Sequence, residues 1–327
     1  MKRTSRLPQL LAGLGIFVLI LDGKTVLAGA AQGVVQCLQT VIPALFPFFV
    51  LSIYLTRNAV GRSGPLLRSL GRFLGMPPGA EGLLIPGFLG GYPVGAQAVA
   101  EAWRSGRLSQ AQARHLMMFC SNPGPAFLFG MVASYFSKGW MVLAMWGVLL
   151  LSAAITALIV RPGEDGAVSI PAHSKITLPQ ALSQAVQVMA LVCGWLVLFR
   201  GLLAFLSRWV LWLLPVPVQV AAAGLLELSN GCCLLDAIAD EQVRFCLCCT
   251  LLAFGGVCVT MQTASVSAGL PIRWYLLGKG IQAGLCLVFS WAIFQEFGAL
   301  ILGSALLAAL ILGKRRNCSS NRQLVGV

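Results

Sequence analysis

Ten apolar runs follow one another down the chain with little charge between them, at about 7–21, 40–56, 82–102, 115–136, 139–160, 181–206, 210–235, 245–267, 274–295 and 297–313. The hydrocarbon core of a bilayer takes about 20 apolar residues of helix. Inside it every backbone polar group must find its partner within the protein. The pattern therefore demands membrane helices. Composition agrees: 58% of residues are hydrophobic and 10% charged, against about 25% charged for a soluble domain. A soluble enzyme, a disordered chain and a secreted disulfide scaffold are excluded.

Three stretches are clearly polar: Arg57–Gly79 with Arg57, Arg62, Arg68 and Arg72, Arg161–Thr177 with Glu164, Asp165, His173 and Lys175, and the tail from Lys314. A net charge of +13 would point to nucleic acid in a soluble protein. Here it reads as Lys and Arg held on the cytoplasmic side, and nucleic acid is not an expected partner. Most of the 11 cysteines lie in apolar runs, and the histidines are only His115 and His173. Cys246, Cys248 and Cys249 lack a second zinc-type pair and read as small packing residues. The N-terminus, with Lys2, Arg3 and Arg6 before Leu7–Leu21 and then Ala28-Gly29-Ala30-Ala31, resembles a signal peptide. The apolar runs that follow favour an uncleaved first helix.

The halves open alike. Gln32, Gln36 and Gln39 share one helix face, and Gln180, Gln184 and Gln187 recur at the same spacings. Each triplet leads into an apolar span ending near Arg57 or Arg208. A glycine-punctuated segment follows, Gly87–Gly95 or Gly224–Gly231, and then a second break, Ser121-Asn122-Pro123-Gly124-Pro125 or Phe254-Gly255-Gly256-Val257. Three features in one order indicate an internal duplication. Segments 82–102 and 210–235 are poor straight spans and are expected as re-entrant hairpins, whose freed backbone needs protein or a cavity around it.

The expected fold is an all-α polytopic membrane protein of eight spans with both termini in the cytoplasm. Residues 1–24 form an N-terminal transmembrane helix, 25–160 the first repeat, 161–178 a linker, 179–295 the second repeat, and 296–327 the last transmembrane helix and a basic cytoplasmic tail. Each repeat holds three transmembrane helices and a re-entrant helical hairpin, so the second is inverted. Most of the 23 basic residues then lie at the cytoplasmic face, with Lys24, Lys138, Arg208 and Arg244 outside and Arg200 within a span.

Inverted repeats with interrupted helices mark secondary transporters. Broken helices expose N–H groups suited to an anion and carbonyls suited to Na⁺ or H⁺. Glu227, within the apolar Val220–Leu228, is the candidate for ion coupling; the alternative is a structural carboxylate paired with Arg200 or Arg244, or one at a wet hairpin mouth. Candidate substrate contacts are Gly91 and Tyr92 in the first hairpin, and Ser121, Asn122 and Gly124 in the first break. The second half adds Asn230, Gly256, Thr260 and Gln262. Against these stand a kink at Asn122 that caps its own backbone and close packing at Gly255-Gly256. Arg200 either attracts a carboxylate or snorkels. No paired intramembrane carboxylates, nucleophile elbow or Gly-x4-Gly-Lys-Ser/Thr loop is present, so no enzyme, cofactor or metal site is expected beyond H⁺ or Na⁺ coupling.

Ile42-Pro43-Ala44-Leu45-Phe46-Pro47-Phe48-Phe49, the Gly-Gly-Tyr-Pro-Val-Gly core of Gly87–Gly95, Asn122-Pro123-Gly124-Pro125-Ala126-Phe127, Leu226–Gly231 and Phe254–Gln262 together resemble the YlbJ (SpoVV-like) family of sporulation integral membrane proteins, over about residues 10–313. That family is grouped with the nucleoside-recognition, or Gate, proteins. The resemblance implies a bacterial cell membrane or outer forespore membrane protein that moves dipicolinic acid, a flat aromatic dianion, during sporulation. The chain departs from the family in a shorter linker and tail and in Pro123. The expected function is thus transport of a small, anionic, dipicolinic acid-like metabolite. The alternatives are a non-transporting scaffold of spore assembly and a carrier of nucleosides or related solutes. Expected partners are the lipid bilayer and the small-molecule substrate, with a homo-oligomer also admitted.

Overall fold

Asp22 begins the long helices of the first half. Its carboxylate accepts from the Thr25 N–H at 3.4 Å and so separates α1 (Leu7–Leu21) from α2 (Gly23–Gln36). A π-helical turn at Cys37–Val41 carries α2 into α3 (Ile42–Ala59). Pro43 and Pro47 lack the N–H that an α-helix uses, and a wider turn just ahead of them absorbs the mismatch. The apolar run at 40–56 is thus the second part of one helix, Gly23–Leu55. The computed structural model describes residues 7–59, 64–160, 175–309 and 311. The N-terminal basic cluster, Arg62, most of the 161–178 linker with Glu164, Asp165 and His173, and the tail from Lys314 lie outside the described residues.

All regular structure among the described residues is helical. The first half continues with α4 (Pro65–Phe73), α5 (Leu84–Phe88), α6 (Val94–Arg104), α7 (Gln110–Phe119), α8 (Pro125–Gly130) and α9 (Gly139–Ile159). The second half holds α10 (Leu178–Trp209), α11 (Val216–Leu226), α12 (Leu228–Cys233), α13 (Glu241–Phe254), α14 (Gly256–Val266) and α15 (Ile272–Ala292). A last helix, α16, covers Gly298–Ala309. Each half therefore runs from a long helix through two broken helices to a helix of 21 residues, α9 or α15. Gly23–Leu55, Gly139–Ile159, Leu178–Trp209 and Glu241–Val266 are long and apolar enough to cross a membrane. Large apolar side chains on α1 and α16, among them Ile20 and Leu300, face outward. This is the architecture of a helical membrane protein.

Both glycine-rich segments fold back on themselves. A Cβ on Gly95 would stand 2.8 Å from the Gly87 Cα, and one on Gly231 would stand 2.7 Å from the Gly224 nitrogen. In a straight helix, residues seven or eight apart lie more than about 10 Å from one another. So α5 with α6, and α11 with α12, are helical hairpins closed glycine on glycine. The long helices also meet through small residues: a Cβ on Gly29 would press on Ala204 at 2.5 Å and on the Arg200 carbonyl at 2.9 Å, the close approach typical of helices in lipid.

The glutamine triplets serve helix ends and interfaces. Gln180 completes a capping box with Thr177, accepting from its N–H at 2.8 Å. Gln32 accepts from Arg200 at 3.4 Å, and Gln36 reaches the Cys233 sulfur at 4.0 Å.

Candidate functional site

The second hairpin turns at Glu227, where α11 ends in extended backbone (φ −143°, ψ 115°). Its carboxylate caps the next helix. Oε1 accepts from the Ser229 N–H at 3.1 Å and the Ser229 hydroxyl at 2.7 Å, and Oε2 accepts from the Asn230 N–H at 2.8 Å. Glu227 is 3% exposed and, among the described residues, forms no ion pair. Arg244 pairs with Asp236 at 3.6 Å instead, and Arg200 bonds Gln32.

The first hairpin turns at Gly91-Tyr92, with Gly91 in the left-handed region (φ +78°) that favours glycine. Gly91 lies against Gly124: a Cβ on it would be 3.2 Å from the Gly124 nitrogen. The Tyr92 hydroxyl donates to the Leu252 carbonyl at 3.1 Å, with the Ala253 carbonyl at 3.3 Å. These carbonyls close α13, which stops at Gly255 (φ +84°). The tip of the first hairpin is thus fastened to the broken helix of the second half.

Between the two tips lies a cavity of about 60 Å³, lined by Gly91, Tyr92, Pro123 and Gly124 from one half and Glu227, Ser229 and Gln262 from the other. The long helices close it with Val41 and Leu45 facing Val192 and Leu196. Its walls are mostly apolar, and Glu227 is the one carboxylate among its lining residues. An anion sharing so small a space with an ionised carboxylate meets strong repulsion.

Of the residues singled out in the sequence, Gly91, Tyr92, Gly124, Glu227 and Gln262 meet at this cavity. Ser121, Asn122, Asn230, Gly256 and Thr260 do not line it. Asn122 donates to the Phe119 carbonyl at 2.7 Å and the Gly87 carbonyl at 3.1 Å, capping its own helix and the adjoining hairpin. Thr260 bonds back to the Gly256 carbonyl at 2.9 Å. Gly256 serves close packing, since a Cβ there would stand 2.7 Å from the Gly224 oxygen. Ser121 and Asn230 are fully buried, and their side-chain polar atoms have no hydrogen-bond partner among the described residues. Ser229 and Pro123 line the cavity without having been singled out.

A larger omission is Lys279. Seven residues into α15, it is fully buried, donates to Gln282 Oε1 at 2.6 Å and Asn122 Oδ1 at 3.3 Å, and lies 5.1 Å from the Tyr92 ring centre. As one basic residue near the start of an apolar run, it resembles the flanking lysines that sit at a membrane surface. The signal that marks it is helical spacing, which puts Gln282 one turn on, on the same face.

A second, smaller cavity of about 20 Å³ lies among Arg57, Gln97, Glu101, Arg107 and Gln184. Arg57 pairs with Glu101 at 2.6 Å, joining α3 to the first hairpin. In the turn after α6, burial and then the like charge of Arg57 lower the affinity of Arg107 for its proton, and Glu101 opposes the shift. Comparison with family models, with curated proteins and with solved structures finds no match to this chain.

Proposed function

We propose that this protein is a secondary transporter that carries a small anionic metabolite through the cavity between its two hairpin tips, together with a proton on Glu227. The observation that carries this reading is the buried carboxylate at the meeting point of both hairpins. The cavity, of about 60 Å³, is smaller than the roughly 150 Å³ that accommodates benzene, so on this reading the hairpins part to admit a solute. The resemblance to the YlbJ family makes dipicolinate the first solute to test, with nucleosides after it.

Inverted repeats suit the contacts at the helix ends. Arg57 with Glu101, Asn58 with the Ile176 carbonyl, and Arg104 with the Val266 carbonyl tie one set of ends. Asp22 with Arg208, Lys138 with Glu241, and Arg244 with the Tyr135 carbonyl tie the other. The first hairpin leaves from and returns to the first set, the second hairpin to the other. The turns and helix starts beside the first set also carry Arg68, Arg72, Arg107 and Arg273, so that side holds more basic residues than the other and is the cytoplasmic one by the positive-inside rule. In a cysteine-free background, Arg104→Cys and Asp240→Cys are expected to react with an impermeant thiol reagent from opposite sides; reaction from one side overturns the inversion.

For transport, the purified protein in proteoliposomes is expected to accumulate dipicolinate, or another small carboxylate, when the gradient drives protons inward. Dissipating the gradient should abolish the accumulation. Well-folded protein that moves none of dipicolinate, dicarboxylates and nucleosides would overturn the reading in favour of a scaffold.

A further inference from the structure

Lys279 brings a basic side chain into the interior without an opposing carboxylate: no ion pair joins it among the described residues. A lysine inside a membrane bundle is costly and marks a function by default. Its surroundings explain how it is held. The helix α7 ends at Phe119, and its last carbonyls carry the negative end of the helix dipole. Two side-chain amides take up those carbonyls, Asn122 donating to Phe119 and Gln282 donating to Met118 at 3.1 Å, while Asn122 also donates to Gly87 of α5. Each amide thereby turns its oxygen the other way. Both oxygens converge on the Lys279 ammonium, and the rings of Tyr92 and Tyr275 stand 5.1 and 5.9 Å from it. Oriented amide oxygens backed by a helix C-terminus, with two aromatic faces, are what a small monovalent cation requires. A Cβ on the neighbouring Gly278 would come within 2.5 Å of the Met118 Cα, so α15 can bring the ammonium this close only because that residue is glycine.

We propose that this is a cation site occupied by the protein's own ammonium: Lys279 is a tethered cation that holds the broken end of α7 in the place where a free cation would otherwise bind. It is a positioning residue, acting on the cavity through Tyr92 and Asn122. The proposal does not depend on transport, because its test reads stability. Shortening the side chain should open the site to a small soluble cation.

The test is thermal melting of Lys279→Ala in detergent with methylammonium, ammonium, sodium or choline chloride at equal ionic strength. Unmodified protein is expected to melt at the same temperature in all four. Lys279→Ala should melt about 5–10 °C lower in choline, and methylammonium or ammonium should restore at least half of the loss with a saturable dose dependence. A Lys279→Ala protein indifferent to every small cation overturns the proposal. If Lys279→Ala cannot be purified in any of these salts, Lys279→Met, of similar length and apolar, decides. Stability equal to the unmodified protein overturns the proposal, and a drop of several degrees that Lys279→Arg does not share supports it.

Discussion

Gly231→Ala is expected to lower the melting temperature in detergent by about 5–10 °C, whereas Gly147→Ala and Gly284→Ala leave it unchanged or slightly raised. At Gly231 the first side-chain carbon would press on the backbone of Gly224, 2.7 Å from its nitrogen and nearer still to its Cα. Overpacking costs about 1–3 kcal/mol where neighbouring side chains can shift. Here the neighbour is main chain, and relief requires the two arms of the hairpin to part. The cost therefore falls at the top of that range or above it. Each kcal/mol moves the melting point of a large domain by roughly 2–4 °C. Gly147 and Gly284 have nothing within 4 Å of a new Cβ and lie in helices, where alanine stabilises by about 0.4–1 kcal/mol through the unfolded chain. Gly95→Ala should behave like Gly231→Ala, since its Cβ meets Gly87 and the Cys120 carbonyl. Equal melting of all four variants would show that the hairpins are not closed on these glycines.

The same glycines explain why much of the architecture was legible in the sequence. Hairpin closure needs a residue without a side chain on each arm, and Gly87, Gly95, Gly224 and Gly231 stand out against a Leu- and Ala-rich background. Glu227 was legible for a related reason: a carboxylate in an apolar run is conspicuous, and its cap follows from Ser229 and Asn230 coming next. Asn122 shows where such reading stops. Ser-Asn-Pro-Gly-Pro gives the same string whether the amide faces a ligand or its own helix end, and only the position of the Gly87 carbonyl decides. Lys279 was hidden by its place in the chain. A lysine near the start of an apolar run is ordinarily solvated, and its burial depends on Asn122 and Tyr92, which lie more than 150 residues away. Local pattern thus located the breaks, while the pairing between them is a property of the assembled bundle.

Variants of Glu227 should separate its two tasks, capping α12 and carrying charge into the cavity. Glu227→Ala loses three accepted hydrogen bonds at a buried helix start and is expected to destabilise by about 1–3 kcal/mol, which confounds any transport measurement. Glu227→Ser is the cleaner probe. Serine is a favoured N-cap, so the protein should fold with at most a few degrees lost in melting temperature, yet it holds no carboxylate to protonate. Glu227→Gln keeps the length of the side chain but turns an amide N–H₂ towards one of the N–H groups that Glu227 now accepts from. Both variants are expected to lose gradient-driven accumulation of the anion by more than tenfold, while exchange of labelled for unlabelled substrate with no gradient persists. The reason is the repulsion in the cavity. With the carboxylate ionised, an entering anion meets a second negative charge in a mostly apolar enclosure. With the carboxyl protonated, that repulsion vanishes, and proton and anion must travel together. Uptake by the unmodified protein should accordingly rise as the pH on the side of substrate entry falls, and exchange in Glu227→Ser and Glu227→Gln should lose that dependence. Uphill uptake that survives in Glu227→Ser would reduce Glu227 to a helix cap and move the coupling step elsewhere.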